Sequence, residues 1–78
     1  METDRVPRMM QNMNRIVEAI RKLAKGKNDA RVSLYKVCLK VNLHPVTVKN
    51  YVGMIENSAS DITFDNIKNE FVVTKAEG

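Results

Sequence analysis

SLYKVCLKVNLHPVTVKNYVGMI, residues 33–55, carries two apolar stripes at helical spacing with a short break between them. Leu34, Val37, Cys38 and Val41 recur at three- and four-residue intervals and share one helix face, leaving Tyr35, Lys36 and Lys40 largely outside it. Ser33 is a good cap, because its hydroxyl can accept from N–H groups that a first helical turn leaves unpaired. The chain must then turn sharply, which asks for a residue that tolerates the left-handed conformation. Asparagine is second only to glycine there, and Asn42 holds the position. Leu43 is placed to plug the corner and His44 precedes the next helix. Pro45 stands where its missing N–H costs nothing, since that donor has no helical partner anyway.

The next helix is expected over residues 45–57. Steps of 100° bring Val48, Tyr51, Val52 and Ile55 together as a buried stripe. Val46, Lys49, Asn50, Gly53 and Asn57 lie opposite, with Thr47 at the edge of that face. A small apolar group, a cation, an amide and a glycine suit close approach to a groove: they reach base edges and add little bulk beside them.

Upstream, Met9, Met13, Ile16, Val17, Ile20 and Leu23 define the apolar face of a first helix over residues 9–24, with Arg15, Glu18, Arg21, Lys22 and Lys25 on the other side. Gly26 is its natural stop, and Pro7 fits either the first turn or the end of an extended arm. KGKNDAR, residues 25–31, reads as a polar loop. Arg21 and Lys22 fit either phosphate contact or a merely solvated face. Downstream, Ile62, Phe64, Phe71 and Val73 alternate with Thr63, Asp65, Val72 and Thr74 on either side of NIKNE, the pattern of a β-hairpin. A two-residue turn at Lys68-Asn69 would pair Phe64 with Val73, and other turns at the loop asparagines leave a second register open.

Cys38, Asn42, Leu43, Thr47 and Val48 resemble the helix-turn-helix pattern of a small residue, a turn residue, an apolar residue and Thr-Val in the following helix. With the hairpin added, residues 13–75 resemble the winged-helix branch, in the style of compact regulators of archaea and their viruses. Cys38 stands where alanine is usual and Asn42 where glycine is usual. The fold class expected is therefore α+β: a three-helix winged helix-turn-helix with a C-terminal β-hairpin over residues 9–75. An arm or helix start would occupy residues 1–8 and a tail residues 76–78.

The resemblance implies a sequence-specific regulator of transcription that binds double-stranded DNA with its third helix in the major groove. Val46, Thr47, Lys49, Asn50 and Gly53 would then face the bases, while Ser33, Tyr35, Lys36, Lys40 and Lys68 would hold the backbone. One short helix reads few base pairs, so a homodimer is expected. Val6, Met9 and Met10 mark the N-terminal helix as its interface. The rival reading is a winged-helix module that binds protein and no DNA.

Composition sets the outer bounds. The chain has 78 residues, one domain near the lower end of what a single core can hold. Its net charge is +4 with a pI of about 9.5, which suits a polyanionic partner. The balance is +4 through Val32, +2 from Ser33 to Ser58 and −2 beyond, so the hairpin is acidic. One cysteine and one histidine allow neither an internal disulfide nor a usual zinc site, and Cys38 reads as a small buried filler. No membrane span or signal peptide is visible, so a cytoplasmic, nucleoid-associated protein is expected. Nothing points to a cofactor. A glycine-rich phosphate loop, HExxH and a nucleophile beside a base are all missing, so no enzyme is expected.

Overall fold

A computed structural model describes residues 7–27 and 29–74. The architecture is α+β. Four helices and three strands follow in the order α1 (Arg8–Ala24), β1 (Ala30–Ser33), α2 (Leu34–Val41), α3 (Pro45–Asn50), α4 (Val52–Ser58), β2 (Ile62–Asp65) and β3 (Glu70–Val73) among the described residues.

Pro7 caps α1 from extended backbone (φ −60°, ψ 150°), and the helix ends with Lys25 (φ 56°) and Gly26 (φ 71°) both left-handed. Met13, Ile16, Ala19, Ile20 and Ala24 are its buried residues, whereas Met9 is half exposed. The Ser33 hydroxyl accepts from the Tyr35 N–H at 3.2 Å to start α2. Asn42 ends it at φ 60°, ψ 48°, with the Leu43 N–H donating back to the Cys38 carbonyl at 3.1 Å. His44 Nδ1 accepts from the Val46 N–H at 3.2 Å, so α3 begins with both a side-chain cap and a proline at its first position.

Three expectations need correction. The helix expected over residues 45–57 is two helices, because Tyr51 sits at φ −94°, ψ −5° and its N–H bonds to the Val48 carbonyl, three residues back. Its phenol oxygen meanwhile accepts from the Asn12 amide of α1 at 3.1 Å. The tighter turn and the tie to α1 coincide at this residue. The loop KGKNDAR contains the start of a strand: β1 pairs with β3, giving the sheet order β1-β3-β2 with both pairings antiparallel. In the hairpin, Phe64 faces Phe71 and Ile62 faces Val73, so the turn is residues 66–69 and not two residues. Asp65 Oδ1 accepts from the N–H groups of Ile67 and Lys68, and Asn69 takes the left-handed conformation (φ 55°) that closes the longer loop.

Ile16, Ile20, Leu34, Val37, Val48, Ile55, Ile62 and Phe71 are fully buried and draw every element except β1 into one core, which β1 joins through Val32. Phe64 packs its ring on Phe71, with centroids 4.8 Å apart. β2 is an edge strand, and its outward Phe64 N–H is taken by Glu56 Oε2 of α4 at 2.9 Å. Just before β2, Arg21 of α1 grips the buried Asp61 with two hydrogen bonds of 2.6 and 3.1 Å. The arm at residues 1–6, including Val6, and the tail with Lys75 lie outside the described residues.

Candidate nucleic-acid interface

α3 is anchored by Val48, which is fully buried, while Val46, Lys49 and Asn50 are exposed. Val46 leaves 60% of its surface open at the start of the helix. Lys49 overhangs a hollow of about 320 Å³ that it shares with Val52, Phe64 and Asn66, so the outer face of α3 continues into the base of the hairpin loop. Thr47 and Asn50 border a second hollow of about 250 Å³, closed by Met9, Tyr51 and Met54. Thr47 is half-buried there, consistent with a place at the edge of the face.

Gly53 belongs to α4, beyond the bend at Tyr51, and is exposed. A Cβ built on it would meet no atom within 4 Å among the described residues. The fold therefore has no internal need of glycine here, although glycine within a helix costs about 1 kcal/mol against alanine.

The expected backbone contacts divide between two surfaces. Ser33 is half-buried and its oxygen is engaged as a cap, which leaves the hydroxyl proton to donate. Tyr35, 53% exposed, shares an apolar groove of about 460 Å³ with Leu39, Leu43, His44 and Pro45 beside the start of α3. Lys36 is exposed. Lys40 stands on the other side of α2, in a cleft with Arg15, Glu18 and Lys22 of α1. Lys68 is exposed at the hairpin tip next to Ile67, whose exposure reaches 89%.

Electrostatically the hairpin is less acidic than its own sequence. Arg31 of β1 reaches Glu70 at 3.0 Å and Asp65 at 3.4 Å. The N–H groups of Lys68 and Ile67, together with Arg31, hold the Asp65 carboxyl below its usual range, and the two carboxylates push the Arg31 guanidinium up. Arg31 and Lys68 thus match Asp65 and Glu70 in formal charge. Burial raises the Cys38 thiol above its ordinary value, which disfavours the reactive thiolate.

Two features were not foreseen from sequence. Leu39 is 83% exposed, and the only signal for it was its position one turn beyond Tyr35 on the polar side of α2. Arg15 donates to the Val41 carbonyl at 2.8 Å, closing the end of α2 from a distant helix, for which no local signal exists. Among the described residues no three His, Cys, Asp or Glu side chains are grouped so as to hold a metal ion, and no helix is long and apolar enough to cross a membrane. No protein-family model, curated protein or solved structure matches the chain.

Proposed function

We propose that the chain is a winged helix-turn-helix protein that binds double-stranded DNA sequence-specifically and regulates transcription, with α2 and α3 as the helix-turn-helix and the β2–β3 hairpin as the wing. The observation that carries this reading is the outer face of α3 and α4. Val46, Lys49 and Asn50 are exposed together, and beside them Gly53 is a helical glycine that no internal contact requires. A surface approached closely from outside accounts for both.

In the major groove, Asn50 would pair with an adenine edge, Lys49 with guanine or a phosphate, and Val46 with a thymine methyl, while Thr47 borders the contact. Ser33, Tyr35, Lys36 and Lys68 would fix the duplex by its phosphates. The pairing of Arg31 with Asp65 and Glu70, which together with Lys68 balances the formal charge of the hairpin, supports a wing that can approach DNA. A homodimer through α1, using the half-exposed Met10, would place two reading helices on paired half-sites.

A gel-shift series on random-sequence duplexes at several salt concentrations tests the reading. Retention that falls steeply with salt, and selection of a preferred sequence that Asn50→Ala abolishes, is the expected outcome. A second reading, an interaction module without DNA, is favoured by the apolar groove at Tyr35, Leu39, Leu43 and Pro45. That reading requires no duplex retention even at low salt.

A further inference from the structure

α2 turns two different sides to its neighbours. Tyr35 and Leu39 border the start of α3, whereas Lys40, roughly 100° further round the helix than Leu39, lies on the α1 side. There a cleft of about 250 Å³ is lined by Arg15, Glu18, Ala19 and Lys22 of α1 and by Lys40 and Val41 of α2. Arg15, Lys22 and Lys40 against Glu18 leave this lining with a formal charge of +2.

Arg15 is what makes the cleft more than a solvated basic face. Its guanidinium donates to the Val41 carbonyl at 2.8 Å, so the planar fork is already held in place before any ligand arrives. The ordering cost that a free arginine meets on binding is therefore reduced, and its remaining donors are available to an oxyanion. Lys22 and Lys40, both exposed, add charge from the two walls. A small polar recess with three cations fits a phosphate group and offers no aromatic face on which a base could stack.

The outer face of α3 borders the hairpin through Lys49 and Asn66 and the start of α1 through the hollow that Thr47 and Asn50 share with Met9, whereas the cleft takes α1 only from Arg15 onward and shares no lining residue with either hollow. We propose that the α1–α2 cleft, with Lys40 assigned to it and not to the duplex read by α3, grips the phosphate backbone of a second DNA duplex, so that one protomer bridges two segments of DNA. This rests on the DNA-binding reading of α3 and extends it.

The test captures one duplex on beads, adds protein and measures retention of a second, labelled duplex at low salt, while fluorescence anisotropy measures affinity for a single duplex. The Lys22→Gln/Lys40→Gln variant leaves Arg15 and its bond to Val41 intact, and circular dichroism checks its fold. The variant is expected to lose about tenfold of second-duplex retention while single-duplex affinity changes by less than about threefold. Wild-type protein that binds one duplex and retains no second one overturns the bridging proposal and leaves the α3 reading standing. A variant that bridges as well as wild type also overturns it, as does one whose two affinities fall in parallel, which assigns the cleft to the same duplex. Failure of wild-type protein to bind any duplex removes the α3 reading and this proposal with it.

Discussion

Gly53, Asp61 and Asn42 each hold a position for a different physical reason, and each reason has a measurable consequence. Gly53 is exposed, helical and free of internal crowding. Gly53→Ala is therefore expected to stabilise the fold by about 0.5–1 kcal/mol in urea unfolding, while weakening duplex binding in gel shifts, because under the proposed function the new methyl would lie at the contact. Asp61 is buried at the start of β2, and the Arg21 hydrogen bonds hold its carboxyl below the usual range despite the opposing effect of burial. A depressed native pKa contributes stability above the ordinary aspartate value of about 3.9, and that contribution disappears as pH falls through the native value. Asp61→Asn should cost about 1 kcal/mol near neutral pH, allowing for the half-exposed Arg21. The gap to wild type should close as the pH of the urea titrations is lowered below the ordinary aspartate value and through the depressed native one. Asn42 lies in the left-handed region at φ 60°. Asn42→Gly should leave stability unchanged or slightly raised, whereas Asn42→Ala should lower the unfolding free energy by about 1 kcal/mol.

Among the elements, the bend between α3 and α4 is tied to α1 beside the surface proposed to read DNA. The Asn12 amide bonds the Tyr51 phenol at 3.1 Å, and Tyr51 shares a hollow with Thr47 and Asn50. Tyr51→Phe is expected to cost about 0.5–1 kcal/mol by thermal melting and to shift the amide resonances of Thr47 and Asn50. Unchanged resonances there would show that the bend does not depend on α1. Sequence alone located α2, the turn at Asn42 and the start of α3, because each is set by local signals: a serine cap, an αL-tolerant asparagine and a proline at a first helical position. Val48 and Ile55 are buried, Tyr51 and Val52 half-buried, and Val46, Lys49, Asn50 and Gly53 exposed, as the apolar and polar residue types suggested even though one continuous helical period does not run through Tyr51. The division at Tyr51 was not legible, because its determinant is a residue of α1 39 positions away. β1 was hidden for a similar reason: ARVS has one buried side chain, Val32, and its strand character comes from pairing with Glu70 to Val73 far along the chain. The hairpin register stayed open in the sequence, and Asp65 decides it against the two-residue turn by capping two loop N–H groups, which favours a longer loop.

For the molecule as a whole, β1 changes the electrostatics that the sequence suggested. Counted by segment, the C-terminal part is acidic, but Arg31 crosses from β1 to Glu70 and Asp65, and Arg21 crosses from α1 to Asp61. Exposed cations remain at Lys36, Lys49 and Lys68 around the proposed duplex. If each neutralises one phosphate, the logarithm of affinity should fall against the logarithm of salt concentration with a slope of about −3 per protomer. In sedimentation, a homodimer at micromolar concentration that Met10→Lys dissociates is the outcome expected of an interface on α1. A monomer with and without DNA would contradict that interface. The central claim is tested most directly by titrating a short duplex into isotopically labelled protein at low salt and following every backbone amide. The largest shifts are expected at Val46, Lys49, Asn50 and Gly53, with smaller ones at Tyr35, Lys36 and Lys68. Shifts confined to other surfaces, or a spectrum that excess duplex leaves unmoved, would contradict it.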